Sequence, residues 1–261
     1  MEKPKDIEGF KIWYEKKFNS KIDQPKKNYY DQVTQALKQQ ISTSNFWTGF
    51  TDELKELSHE YLLTTQYEFM ASAIQTPELY LKPFNSYIDK LFRKNVIDNK
   101  NWPECPEGGW YKVESSYNRI KDLVRTSFVV KYLDGVELLA TKLERFGAQT
   151  GNNIVVSFEA REHGYYAAHL DVGFQLEIPK MSWETEAIYC SFEIQITTQL
   201  QEVLKKLTHQ YYETRRLDLG TNEQNKKWQW DYKSEEFTAN YLGHILHYLE
   251  GMILEVRDRR K

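Results

Sequence analysis

The sequence predicts an α+β fold of α/β-like character: a mixed β-sheet with helical segments at both ends of the chain. Two observations predict it. In the first third and the last quarter, apolar residues recur at three- and four-residue intervals, the period of an amphipathic helix. Between them lie segments of strand length rich in Val, Ile, Phe and Tyr, interrupted by one helical stretch. Strand, helix, then three strands is the order of an α+β core rather than of a helical bundle.

Taken in order, helices are expected from Asp6 to Asn19 and from Lys27 to Gln40, followed by a turn at Ser42, Thr43, Ser44 and Asn45. Phe50 to Ile74 reads as a long helix with Leu54, Leu57, Tyr61, Leu62 and Phe69 on its apolar side. Thr76 before Pro77 has the form of a cap followed by a first-turn proline, opening a helical stretch through Leu91 that Pro83 kinks or restarts. Asn99 to Gly109 carries Pro103, Pro106 and two glycines, a loop composition. Strands are expected at Leu123–Tyr132, Asn153–Ala160, Tyr165–Leu176 and Thr185–Thr197, with a helix at Gly135–Phe146 between the first two. Thr198 to Arg216 is amphipathic, Gly220 to Lys227 is a polar loop, and Ser234 to Arg257 is the last long helix. With no repeat and no low-complexity segment, one domain over residues 1–261 is the economical reading. It divides into a helical region (1–75), a core (76–215) and a closing loop and helix (216–261).

Composition narrows the function class. The net charge is -3 and the pI about 6.1, so no global basic field points to DNA. Cys105 and Cys190 form no CxxC, which leaves neither a cysteine-rich zinc motif nor a disulfide framework. The charged start lacks the apolar core of a signal peptide and no run is long enough to span a bilayer, so a cytoplasmic, membrane-free protein is expected. The 18 Tyr, 13 Phe and 7 Trp suit a core built partly of rings, and they also offer flat surfaces for bases.

Three groups of residues carry candidate chemistry. Asp122 stands at the entrance to the first strand and Glu193 lies within the last. Carboxylates on adjacent strands suit Mg²⁺, a hard ion that shares itself with substrate phosphates; a turn residue and a solvent-facing acid are the alternatives. In LYLKPFNSYIDKLFRKNV, Lys82, Ser86 and Lys90 are four apart and would form one helical stripe able to follow a triphosphate, or a solvated face. In REHGYYAAHL, Gly164 marks a tight turn, with Arg161 before it and Tyr165 and His169 after it. An aromatic ring beside an arginine suits a nucleotide base, although a hairpin whose rings merely pack has the same pattern. His244, His247 and Glu250 in GHILHYLEG have metal-like spacing, but on an apolar helix they read as packing residues.

Read together, these pieces resemble the synthetase domain of the RelA/SpoT family over residues 76 to 215. YLKPFNSYIDK matches R-x-K-x-x-x-S-x-x-x-K at Lys82, Ser86 and Lys90. KDLVRTSFVV supplies the strand-opening aspartate, Asp122. REHGYYAAH matches K-x-N-G-Y-x-S-x-H at Arg161, Gly164, Tyr165 and His169. EIQITT matches E-I-Q-I-R-T at Glu193 and Gln195, with His209 sixteen residues beyond the glutamate. The resemblance implies a nucleotidyltransferase-type core that transfers the β,γ-pyrophosphate of ATP to the 3′-hydroxyl of GDP or GTP. Asp122 and Glu193 would hold Mg²⁺, with Glu193 also taking the hydroxyl proton. Lys82, Ser86, Lys90 and Arg161 would meet phosphates, Tyr165 would stack on the acceptor base, and Gln195, His169 and His209 would shape the pocket.

The chain departs from the family pattern at the adenine side. Tyr80 replaces the first arginine of the phosphate motif, and Arg125, Thr126 and Ser127 replace G-x-R, so Tyr80 with Arg93 or Arg125 would have to rebuild the clamp. His163, Ala167 and Thr197 are further departures. The first 75 residues hold one histidine, His59, so no hydrolase domain of paired His and Asp ligands is expected. Two other readings stand beside a small alarmone synthetase: a toxin-type relative that pyrophosphorylates the 3′ end of tRNA, and a nucleotide-binding protein without catalysis. Lys205-Lys206, Arg215-Arg216, Lys226-Lys227 and the tail Arg257 to Lys261 would form the basic patch a tRNA needs, or are solvated faces. A neutralising antitoxin or a homo-oligomer are the expected partners besides the nucleotides.

Overall fold

The computed structural model describes residues 2–73, 77–180, 184–217 and 228–259, with no side-chain description for 209–217. Among the described residues, seven α-helices and five strands follow one another as α1 (Ile7–Phe18), α2 (Gln24–Ser42), α3 (Asn45–Thr65), β1 (Tyr80–Leu81), α4 (Phe84–Phe92), β2 (Val124–Val130), α5 (Leu133–Gln149), β3 (Ile154–Ala160), β4 (Tyr166–Pro179), β5 (Thr185–Thr198), α6 (Gln199–Leu217) and α7 (Glu235–Asp258). The strands form one sheet in the order β1-β2-β5-β4-β3. The α+β class expected from the sequence is the class observed.

The chain divides into two compact units: Met1–Ser44, Leu79–Arg125 and Gly173–Glu193 in the first; Asn45–Glu78, Thr126–Val172 and Ile194–Lys261 in the second. In the first, side-chain caps start the helices: Asp6 accepts from the Gly9 amide at 2.7 Å, and Asp23 from Lys26. α1 and α2 pack on α4 through rings rather than aliphatics. Tyr30, Tyr87 and Tyr117 are almost wholly buried and stack or tilt against one another, and Phe10, Trp13 and Phe92 continue the layer. Buried hydroxyls need partners. Tyr30 donates to the Lys82 carbonyl at 2.6 Å and Tyr87 to the Val113 carbonyl at 3.0 Å. Much of the aromatic richness is therefore core.

In the second unit α5 packs between α3 and β3, and α6 packs on α7. β3 and β4 pair antiparallel from Ile154↔Val172 to Ala160↔Tyr166. The C-terminal end of α7 is tied down by Arg257, which donates to Asp134 Oδ2 at 2.7 Å and to the Tyr61 hydroxyl.

The sequence reading needs correcting in three places. The helix expected to run to Ile74 ends at Thr65, because Gln66 turns left-handed (φ 65°). Phe69 and Met70 then lie along β2, with the Phe69 carbonyl accepting from Lys131, and Leu62 is exposed rather than apolar-facing. The helix expected from Pro77 begins only at Phe84, with Pro83 as its cap. Tyr80 and Leu81 form β1 instead, paired to Arg125 and Val124. Thr76 and the loop at 220–227 lie outside the described residues. A π-helical turn, Arg93–Ile97, extends α4 beyond its expected end.

Candidate functional site

The first unit brings Asp122, Lys82 and Lys90 together. The short antiparallel pairing of Leu81 with Val124 continues one residue further, where the Lys82 amide donates to the Leu123 carbonyl at 2.9 Å. That register sets Lys82 beside Asp122, the turn residue before β2. Lys90 reaches the same carboxylate from α4. Lys82 Nζ lies 2.8 Å from Oδ2 and Lys90 Nζ 2.8 Å from Oδ1. The expected single stripe of Lys82, Ser86 and Lys90 is corrected here. Lys82 precedes the helix, Ser86 is exposed on it, and what joins the two lysines is a shared anion.

The electrostatics of this cluster are lopsided. Burial pushes the Asp122 carboxyl up, but the two ammonium groups outweigh it and hold it at about 2. Burial pulls the Lys82 ammonium below its ordinary value; Asp122 opposes that pull, while Lys90 and Arg125 add to it. Two ammonium groups share one carboxylate and the exposed Arg125 acts on Lys82, which leaves a surplus of positive charge beside a buried lysine. Such a surplus is costly alone and favours a polyanion beside it.

Arg125 is exposed on β2, directly across from Tyr80 on β1, and Tyr80 is 51% exposed. Arg93 instead pairs with Asp89 one turn back on its own helix, at 3.1 Å. Of the two arginines weighed for the rebuilt clamp, the strand register favours Arg125. Glu193 is half-buried on β5, where Phe192, Ile194 and Ile196 point into the core, so strand alternation sets Glu193 and Gln195 on the other face.

In the second unit the turn 161–165 is held on α7. Gly164 has φ +77°, and a Cβ there would lie 2.4 Å from the Asn240 carbonyl oxygen; one on Gly243 would lie 2.3 Å from the Gly164 oxygen. Only two glycines allow backbone to approach backbone this closely. Around the contact, His244 lies 2.9 Å from the Glu162 carbonyl and 2.8 Å from the Tyr166 hydroxyl, while His247 stacks on Tyr166 at 3.7 Å. These two histidines are packing residues, as their spacing on an apolar helix suggested. The turn presents Tyr165, whose hydroxyl lies 2.8 Å from His169 Nε2 and whose ring lies under Arg161 at 5.7 Å. Arg161 is itself paired with Glu159 at 3.0 Å and is half-exposed.

A narrow cavity of about 10 Å³ beside Tyr165 is lined by Ser127, Gln195, Thr197, Gln201 and Lys205. Gln201 was not singled out by sequence, and Thr197 was marked there only as a departure from the family pattern. The side chain of His209 lies outside the described residues. Among the described residues no group of three or more His, Cys, Asp or Glu is arranged for a metal, and no helix is long and apolar enough to cross a membrane.

No protein-family model matches the chain, and no curated protein matches it. Solved structures do. The small alarmone synthetase 1 from Bacillus subtilis, bound to its product pppGpp, is similar with a TM-score of 0.51 at 15% identity, over 88% of this chain and 94% of that one. The smu.1046c protein from Streptococcus mutans UA159 is similar with a TM-score of 0.50 at 16% identity, over 91% and 97%. The chain has the fold of a RelA/SpoT-type synthetase domain. On this synthetase fold, the residues quoted for the resemblance fall into two sets. Lys82, Lys90, Asp122, Arg125 and Glu193 belong to the first unit; Arg161, Tyr165, His169 and Gln195 belong to the second. What they do is a matter of their chemistry.

Proposed function

We propose that the protein is a pyrophosphokinase that transfers the β,γ-pyrophosphate of ATP to the 3′-hydroxyl of a guanosine nucleotide, forming a (p)ppGpp-like product and AMP. The observation that carries this reading is the positive surplus of Lys82 and Lys90 on one carboxylate, Asp122, with the exposed Arg125 acting on Lys82. A polyphosphate is the common metabolite whose charge answers it, and charge that grows on the transferring group is met by fixed cations without reorganisation. Similarity to a pppGpp-bound small alarmone synthetase supports the guanosine acceptor.

The residues divide the work as follows. Lys82 and Lys90 neutralise phosphate oxygens as the bond to the α-phosphate breaks. Tyr80 and Arg125, cross-strand neighbours, offer a ring and a planar cation to the adenine. Glu193 accepts the proton of the attacking hydroxyl. Tyr165, held by His169 and backed by Arg161, offers its face to the acceptor base.

Mg²⁺ fits the donor set. Asp122 is ionised down to about pH 2, each of its oxygens keeps a lone pair beyond the one its lysine uses, and Glu193 is a second hard-oxygen donor. When bound, the ion would lower the charge on the ATP phosphates and fix their orientation.

A second reading, pyrophosphorylation of a tRNA 3′ end, is favoured by Lys205 at the cavity beside Tyr165. It is weakened because Lys205 and Lys206 both approach Glu202, at 3.8 and 3.6 Å. The test is incubation with γ-labelled ATP, Mg²⁺ and, separately, GDP, GTP, ATP or deacylated tRNA. Label on a guanosine nucleotide is the expected result. Label on tRNA alone would move the assignment to the second reading, and label on none would overturn both.

A further inference from the structure

α7 turns its polar side inward. Its buried positions are Asn240, Gly243, Glu250 and Arg257. Gly243 makes the close approach to Gly164, and Arg257 binds Asp134. The large apolar residues lie on the other side. Leu242, Ile245, Leu249, Met252 and Val256 are between 37% and 54% exposed, and Tyr248 beside them is 69% exposed. A contiguous apolar stripe of this length is unusual on a monomer and marks a surface that another molecule covers.

The spacing of the stripe selects its partner. Leu242, Ile245, Leu249, Met252 and Val256 repeat at intervals of three, four, three and four. That is the seam that packs knobs into holes against a second helix of the same period. α5 and α6 both pack on α7 and leave the seam exposed. The segment 218–227, which joins α6 to α7, is polar in sequence, with Leu219 its one large apolar residue. A bilayer surface is disfavoured by charge, because an interfacial helix presents Lys and Arg to the headgroups. α7 carries Glu235, Glu236, Glu250, Glu255 and Asp258 against Arg257 alone, and Arg257 is held by Asp134.

We propose that the α7 seam pairs with α7 of a second copy of this chain, antiparallel about a two-fold axis. Charge sets the direction. Glu235 and Glu236 open the helix, while Arg259, Arg260 and Lys261 follow its last turn. Of the two pairings a two-fold axis allows, the parallel one brings like charges together at both ends, and the antiparallel one brings opposite charges together. The seam sets the register. With Leu242 facing Met252 of the second copy and Ile245 facing its Leu249, the middle of the contact is wholly apolar and Glu235 faces Arg259. One heptad further on, Leu242 would face Arg259 instead. The present partner of Arg259, Glu255 at 3.2 Å, is an exposed neighbour on the same helix and a weak competitor. None of these residues belongs to the transfer chemistry.

The test is sedimentation equilibrium of the full chain. A dimer that dissociates on dilution is expected over roughly 1–100 µM. Leu249→Glu places a charge in the middle of the seam at a position exposed in the single chain, and should leave a folded monomer by circular dichroism. Arg259→Glu should weaken the dimer by about tenfold, because two symmetry-related pairs change from attraction to repulsion. Adding Glu235→Arg to Arg259→Glu should restore it, which a different partner protein or a membrane would not do. A monomer throughout that range, a dimer that survives Leu249→Glu, or a charge reversal that the second reversal fails to rescue would each overturn the pairing.

Discussion

The Asp122 cluster and the Tyr165 turn are held by opposite means. In the first, charge does the positioning: two lysines, one just before α4 and one on it, converge on one half-buried carboxylate and leave a surplus of positive charge there. In the second, shape does it: Gly164 and Gly243 let two backbones touch, and rings and imidazoles brace the contact. A cluster built from charge should tolerate changes of shape and fail when charge is removed. A turn built from close approach should tolerate loss of a hydroxyl and fail when a methyl group is added.

The largest expected effect tests the chemistry itself. Glu193→Gln should lower the transfer rate by about 10²–10⁴-fold while leaving ATP binding nearly unchanged. Steady-state kinetics and calorimetry on the same preparation separate the two, and a variant with full activity would remove Glu193 from the mechanism.

Next comes the charge cluster. Lys82→Met removes one of the two charge-assisted bonds to Asp122 and leaves Lys90 in place, so it should cost about 1.5–3 kcal/mol of stability. It should also slow transfer by about 10²–10³-fold. Lys82→Met combined with Asp122→Asn should recover much of the stability and none of the activity, as denaturant melts and assays would show. Recovery of both would mean that the cluster is only structural.

The turn is tested by a pair of glycines on one helix. At Gly243 an added methyl meets the Gly164 oxygen, so Gly243→Ala should destabilise by about 1–3 kcal/mol and raise the acceptor KM more than the ATP KM. At Gly251 an added methyl meets nothing within 4 Å, so Gly251→Ala should stabilise by about 0.5–1 kcal/mol. Thermal melts giving the same sign for both would break the contrast drawn between them.

The last effect is on pH dependence and is confined to acid. Asp122 has a folded-state pKa depressed to about 2 from 3.8, so its contribution is present above about pH 4 and is lost as pH falls towards 2. The depression corresponds to about 2 kcal/mol. Asp122→Asn should flatten that part of the acid-stability curve, and an unchanged curve would show that the two lysines do not hold the carboxylate.

How much of this was readable before the structure depends on what held each part. β2 to β5 and α5 lie close to where period and composition set them: β2, β4 and the second half of β5 bury alternate residues and α5 buries one stripe, whereas β3 buries only Ile154 and was legible from its composition. β1 has two residues, too few for any period to register, and missing it turned Lys82 into a helical residue. Phe69 kept helical spacing with Tyr61 although the chain had already turned at Gln66, since spacing records side chains and not the backbone between them. Ordered motifs drew attention to Asp122, Lys82 and Lys90. Their shared ion pairs were not legible, because they depend on strand register. The Gly164–Gly243 contact left only two isolated glycines as its signal, 79 positions apart.

The most direct test of the central claim is the mass of the acceptor after incubation with ATP and Mg²⁺, read alongside the nucleotide released. The account predicts a guanosine nucleotide heavier by two phosphates, with AMP in equal amount and no singly phosphorylated intermediate. Gain of one phosphate with release of ADP, or no change in any guanosine acceptor, would contradict it.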